Sequence, residues 1–259
     1  MRYPGGKGGA GVAQTIINQI PPHRVYIEPF VGGGAVFRAK APAASSLLAD
    51  RDPAVAEHWR RWSTSTIVGG GVEVLEGCAL ELLSSYPWCG DEFVYLDPPY
   101  HPDSRACATI YRCEMGDAGH RELLTLLERL PVRWALSGYR CALYDDAAGL
   151  HGWRRIDFNA MTRGGVRVES LWMNYPAPAT LAEYTYAGSN FRERQRIGRK
   201  VERWLAKLDA MDPIERNALL SAMSDRDRDS WNADRGRAQQ GNDHAHPETD
   251  RHRSPRAPG

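Results

Sequence analysis

The chain has 259 residues, 42% of them hydrophobic, and its 33 Lys and Arg against 32 Asp and Glu leave a formal net charge of +1. That length suits one α/β domain with a decoration and would crowd two full domains. No run of about 18 apolar residues occurs, so no membrane span is expected, and Met1–Lys7 lacks the apolar stretch of a secretory signal. A cytoplasmic protein is the expectation. The five cysteines, Cys78, Cys89, Cys107, Cys113 and Cys141, are odd in number and form no C-x-x-C pair. Reduced thiols are therefore expected, with neither a disulfide framework nor a metal site.

In chain order, residues 1–178 alternate β-rich runs with helical stretches, the pattern of an α/β sheet with helices on both faces. Strands are predicted at Arg24–Glu28, Ser46–Ala49, Gly71–Leu75, Glu92–Leu96, Arg133–Leu136, Trp153–Phe158 and Glu169–Asn174. Helices are predicted at Gly11–Gln19, Gly33–Arg38, Ala54–Trp62, Ala79–Ser85, Gly116–Arg129 and Cys141–Ala147. Leu123, Leu124, Leu127 and Leu130 fall at helical spacing and form a core-facing stripe.

A second region, 188–224, reads as a small helical extension of two helices parted near Met211-Asp212-Pro213. Asp212 is placed to cap the second helix, and Pro213 suits its first position. Residues 192–207 hold seven basic side chains, Arg196, Arg199 and Lys200 among them, against two acidic ones. A polyanionic partner is one reading. The other is a solvated face on a helix that packs through Ile197, Val201, Trp204, Leu205 and Leu208. Residues 225–259 are almost devoid of apolar side chains, and a disordered tail is expected there.

Three motifs carry chemistry. The run Val25–Glu28 ends in an acid, and Pro29-Phe30-Val31-Gly32-Gly33-Gly34 then opens a helix; glycines there let backbone approach a ligand. The spacing is not G-x-G-x-x-G, so this turn taken alone reads equally as a tight turn. One βα unit later Asp50 ends an apolar run about 20 residues on, the place of a ribose-binding acid. It could instead cap the next helix, although Asp52 is better placed for that. The third motif is Phe93-Val94-Tyr95-Leu96 followed by Asp97-Pro98-Pro99-Tyr100. Two prolines stiffen the loop and lack donors, which leaves carbonyl acceptors free. The Asp97 carboxylate and the Pro98 carbonyl can together hold both hydrogens of an exocyclic amine, and Tyr100 offers a stacking face. The plain alternative is a rigid strand-exit turn with an exposed acid.

With these motifs in order, the chain resembles the Dam-like (alpha-class) DNA adenine N6-methyltransferases over residues 2–176. The likeness rests on Tyr3-Pro4-Gly5-Gly6-Lys7, Glu28-Pro29-Phe30-x-Gly32-x-Gly34, Ala49-Asp50, Asp97–Tyr100, Trp134–Ser137, Thr162–Gly165 and Glu169–Tyr175. It implies a Rossmann-like methyltransferase domain over 1–178 that takes S-adenosylmethionine and transfers its methyl group to adenine N6 in double-stranded DNA by base flipping. It also implies roles: Tyr3, Lys7, Asp50 and Asp97 touch the cofactor, Glu28, Pro29, Phe30, Gly32 and Gly34 line its methionine end, and Asp97, Pro98 and Tyr100 act on the flipped base. A C5-cytosine enzyme would need a cysteine nucleophile, usually after proline, and no Pro-Cys dipeptide is present.

Two departures from the family pattern stand out. Cys78 occupies the place of an acid expected to meet the cofactor's adenine, and Glu76 could replace it only from a shifted position. Between Asp50 and Asp97 lie residues 51–96, 46 in all, too few for the family's target-recognition domain. DNA reading is then expected from His101, Arg105, Tyr111, Arg112, Arg163 and Arg167 within 101–115 and the loop 159–168, with the basic helix on phosphates. The compact size resembles phage or prophage members of the family, whose relatives also serve restriction-modification. The competing readings are an N4-cytosine DNA methyltransferase and a catalytically impaired DNA-binding module.

Overall fold

Alternate side chains along each apolar run feed opposite cores, which is why the runs form strands buried on both faces. A computed structural model describes residues 7–8, 11–66, 69–104, 112–162 and 165–226. Two compact units, Met1–Ile197 and Gly198 onward, are taken separately.

In the first unit β1 (Val25–Glu28), β2 (Ser45–Asp50), β3 (Gly71–Glu76), β4 (Glu92–Leu96), β5 (Arg133–Gly138), β6 (Arg154–Thr162) and β7 (Gly165–Met173) form one sheet in the order β3-β2-β1-β4-β5-β7-β6. Neighbours from β3 to β5 pair in parallel, whereas β7 runs antiparallel to both β5 and β6. This is a Rossmann-like α/β fold with helices on both faces of the sheet. One face packs Tyr26, Leu48, Phe93, Tyr95 and Leu171 against α1 (Val12–Ile17), α2 (Ala35–Ala39) and α3 (Pro53–Ser65). The other packs Ile27, Leu47, Val94, Leu96, Trp134 and Trp172 against α4 (Ala79–Ser85), α5 (Asp117–Arg129) and α6 (Ala142–His151). The leucine stripe of α5 is buried as expected, with Leu123 and Leu127 at 0% and 1% exposure.

All seven predicted strands and six predicted helices of this unit are present, with ends shifted by a few residues. The largest shift concerns 159–168, expected as a loop. Residues 159–162 and 165–168 instead extend β6 and β7, with Asn159 paired to Val168, Ala160 to Arg167 and Met161 to Val166. An antiparallel pair satisfies its own hydrogen bonds, so it can run past the edge of the core without a buried face to mark it. The 46 residues between Asp50 and Asp97 are taken up by α3, β3, α4 and β4. Helix, strand, helix and strand leave no room for a separate recognition domain there.

The basic segment is helical as α7 (Phe191–Asp209). Val201, Trp204 and Leu205 of its apolar stripe are each at least half exposed. Helical spacing creates a stripe without deciding what covers it. In the second unit residues 213–226 are helical, and the Asp212 carboxylate caps them by accepting from the Ile214 amide at 2.9 Å. Of the expected tail, 225 and 226 belong to this helix, and 227–259 lie outside the described residues. No helix among the described residues is long and apolar enough to cross a membrane.

The turn between β1 and α2 is fixed from behind by Trp59. Its indole Nε1 donates to the Gly32 carbonyl at 3.0 Å, and Gly34 takes φ +58° directly against the ring. A β-carbon at Gly34 would collide with Trp59 Cζ2 in a backbone conformation that side chains disfavour. Gly34→Ala should therefore destabilise the fold by about 1–3 kcal/mol, seen as a lower urea midpoint at unchanged slope.

Candidate active site

In an open parallel sheet the ligand crevice lies beyond the carboxyl ends of the strands where the chain order reverses. Here that point falls between β1 and β4, which are hydrogen-bonded neighbours with Ile27 opposite Val94. Glu28 ends β1 and Asp97 follows β4, so topology alone brings the glycine turn and the Asp-Pro-Pro-Tyr loop together. A cleft of about 1060 Å³, counting its open mouth, runs between them. Lys7, Glu28, Pro29, Phe30, Gly32–Gly34, Asp50, Cys78, Asp97 and Pro99 line it, with Cys113–Gly116 on the far side.

The turn is tightly braced. Gly32 N donates to Asp50 Oδ2 and Asp52 N to Asp50 Oδ1, each at 2.9 Å, so Asp50 ties the ends of β1 and β2 together. Each of its oxygens keeps a further lone pair for a ligand. Asp52, not Asp50, caps α3 by accepting from Ala54 N at 2.9 Å. Glu28 is 2% exposed, and the Tyr26 hydroxyl donates to its Oε2 at 2.8 Å. Burial pushes its carboxyl up to about 8, against that hydrogen bond.

Across the cleft Lys7 Nζ donates to Asp97 Oδ1 at 2.7 Å and to the Tyr100 hydroxyl. Lys7 is 3% exposed, and burial alone would lower its pKa. Asp97 and Glu169 outweigh that and hold it above the ordinary value. Burial raises the Asp97 carboxyl to about 6, with Lys7 opposing the shift. Pro98 is buried and Pro99 faces the cleft. Tyr100 is only 4% exposed: Lys7 lies 4.7 Å from its ring centroid and the Tyr139 ring meets it edge-on at 4.6 Å.

Among the expected readers, His101 is buried, with Nε2 3.2 Å from Asp117 Oδ1 and Nδ1 accepting from Asp103 N. It anchors the loop end to α5. Arg112 is exposed and reaches to 3.6 Å from Asp52, and Arg167 lies over the Tyr139 ring at 5.6 Å. Arg196 pairs with Glu193 within α7, where Arg199 and Lys200 are also exposed. Tyr3, Arg105, Tyr111 and Arg163 lie outside the described residues. Cys78 reaches the cleft, whereas Glu76 turns to Arg60 at 3.5 Å. Cys78, Cys89, Cys113 and Cys141 are free thiols. No group of side chains suited to a metal ion occurs among the described residues.

Two residues of this cluster were not singled out from the sequence. Tyr139 directly follows β5, at the same sheet edge as Asp50 and Asp97, and that position was its available signal. Glu169 comes from β7, beyond the antiparallel turn, and only the completed sheet brings it to Lys7.

The family model for D12 class N6 adenine-specific DNA methyltransferases matches residues 3–62, which bears out the motif resemblance over that stretch. No curated protein matches the chain. Similar solved structures include a precorrin-8w decarboxylase of Methanobacterium thermoautotrophicum, with 14% identity, TM-score 0.45, and coverage of 67% of this chain and 94% of that one. TrmK of M. capricolum, solved with S-adenosyl-homocysteine, shares 6% identity with TM-score 0.46, over 82% and 93% of the two chains. TrmN of Thermus thermophilus shares 17% with TM-score 0.44, over 62% and 46%.

Ligand binding in this cleft should depend on pH through Glu28. A cationic ligand favours the ionised carboxylate and so releases the proton that Glu28 holds below about 8. Affinity for S-adenosylmethionine should rise as pH increases through that value and level off above it. Calorimetric titration should show this, with the slope reduced in Glu28→Gln to whatever the ligand's own titration contributes.

Proposed function

We propose that this protein is an S-adenosylmethionine-dependent DNA methyltransferase that methylates adenine N6. The observation that carries the reading is Asp97, held by a buried lysine at the reversal point of the sheet, one strand from the Glu28 and glycine-turn wall. The D12 family match over residues 3–62 supports adenine N6 in DNA as the target.

The lining fits the cofactor's charge. Glu28, Asp50 and Asp97 converge on a wall from which Gly32–Gly34 remove side chains, as a cationic sulfonium with an adjoining ribose requires. Bound S-adenosylmethionine supplies an electrophilic methyl group. Asp97, ionised above about 6, accepts one hydrogen of the amine, and the Pro98 carbonyl is in sequence to accept the other. That pair of bonds draws the nitrogen lone pair out of ring conjugation and aims it at the methyl carbon. The proton released on transfer leaves along the bond to Asp97. Phe30, Gly32 and Gly34 line the side on which the methionine part lies, and Lys7 holds Asp97 and Tyr100 in register.

An amine within a duplex is reached by extruding its base, at roughly a few kcal/mol. Stacking on an aromatic ring returns about 1–3 kcal/mol. Tyr100 is covered at its edge by the half-buried Tyr139, so the incoming base displaces or joins that ring. Phosphate contacts supply the rest. Arg112 and Arg167 beside the site and Arg196, Arg199 and Lys200 on α7 are exposed cations suited to them, with Arg105 and Arg163 in the same role by sequence position.

Labelled cofactor and mixed-sequence double-stranded DNA test the assignment. Wild type should transfer label, nuclease digestion should yield N6-methyladenine, and Asp97→Ala should lose activity by about 10²-fold or more. Transfer absent from DNA, or product found as N4-methylcytosine, would refute it. Cys78→Asp should tighten cofactor binding about tenfold by adding a charged acceptor at the cleft wall, measured as a lower Kd.

A further inference from the structure

The β7 strand brings a second carboxylate to Lys7. Glu169 is 5% exposed, stands opposite Phe158 in the β6–β7 ladder, and places Oε2 3.5 Å from Lys7 Nζ. That oxygen accepts no hydrogen bond among the described residues. Lys7 meanwhile is bonded to Asp97 and to the Tyr100 hydroxyl. One buried ammonium thus lies between the partly buried Asp97 carboxylate, bonded to it at short range, and the buried Glu169 carboxylate poised beside it.

Such an arrangement is costly unless both acids are used, because a buried charge needs a partner in every state the site visits. In the free site Asp97 neutralises Lys7. Once Asp97 accepts a hydrogen bond from a substrate amine, the same carboxylate is shared, and Lys7 loses part of its counter-charge while still enclosed. Among the described residues Glu169 is the acid beside Lys7 positioned to take up that charge, since Glu28 accepts the Tyr26 hydroxyl at its Oε2 across the cleft. Building on the methyltransferase reading, we propose that Glu169 is a positioning residue: it accepts the Lys7 ammonium as Asp97 turns to the amine, and so keeps Lys7 charged and Tyr100 in place during transfer.

The groups facing Glu169 are Lys7 from the N-terminal segment, Asp97 from the loop after β4, Tyr95 within β4, and Tyr139 after β5. Glu169 is one of the charges that raise the Asp97 carboxyl, so its removal should move that carboxyl alone among the acids of the cleft.

Carbon-13 NMR titration of the Asp97 carboxyl in free protein provides a readout independent of turnover. Asp97 should titrate near 6 in wild type and at lower pH in Glu169→Gln, with Glu28 unmoved. In methyl transfer, Glu169→Gln should lower kcat by roughly 10²-fold with the cofactor Kd little changed, and Glu169→Asp should restore part of the loss. In a Lys7→Met background the further change Glu169→Gln should cost nothing more, because Glu169 acts through Lys7. An unmoved Asp97 titration, or losses that multiply in the double variant, would overturn the role. Should wild type transfer no methyl group to DNA, the proposed function falls, while the titration still decides whether Glu169 controls the Lys7–Asp97 pair.

Discussion

The site depends on a buried ammonium. Lys7 is enclosed to 3% exposure and remains charged because Asp97 and Glu169 flank it. Enclosing one charge without partners would cost more than a small domain's margin of stability can absorb. The three groups therefore hold one another, and through them an N-terminal segment, the loop after β4 and the strand β7 meet at one point. The Asp97 loop owes its geometry to this contact as much as to its two prolines.

The sheet makes that meeting possible. Reversal of strand order between β1 and β4 opens a crevice at their carboxyl ends, and the strands deliver Glu28, Asp50 and Asp97 to its rim. The antiparallel β7 then inserts between β5 and β6 and returns Glu169 toward the same rim. Burial raises Glu28 to about 8 and Asp97 to about 6, so at neutral pH Glu28 holds a proton that a bound cation would displace while Asp97 stays ionised beside Lys7. A lining of carboxylates whose charge is partly suppressed by burial suits a ligand that brings its own positive charge.

Much of this was legible in the residues. The apolar runs at Val25–Glu28 and Glu92–Leu96 marked strands, and glycines and prolines marked the turns beyond them. Reading was weaker wherever a feature was satisfied locally. Residues 159–168 looked like a loop because a self-paired hairpin needs no buried face. The sequence placed Asp50 at the end of its strand, but not the two backbone amides its oxygens accept, because the contact with Gly32 forms only in space.

By itself, the sequence determined the order of strands and helices, the stiff acid-bearing loop and the glycine turn, because each follows from short-range sterics and from alternation of apolar side chains. Only the tertiary structure decided which acids surround Lys7, that Trp59 backs the turn, and that Tyr139 covers Tyr100. Those contacts join residues far apart in the chain, and side-chain charge and burial acquire their energies only once the sheet has closed around them.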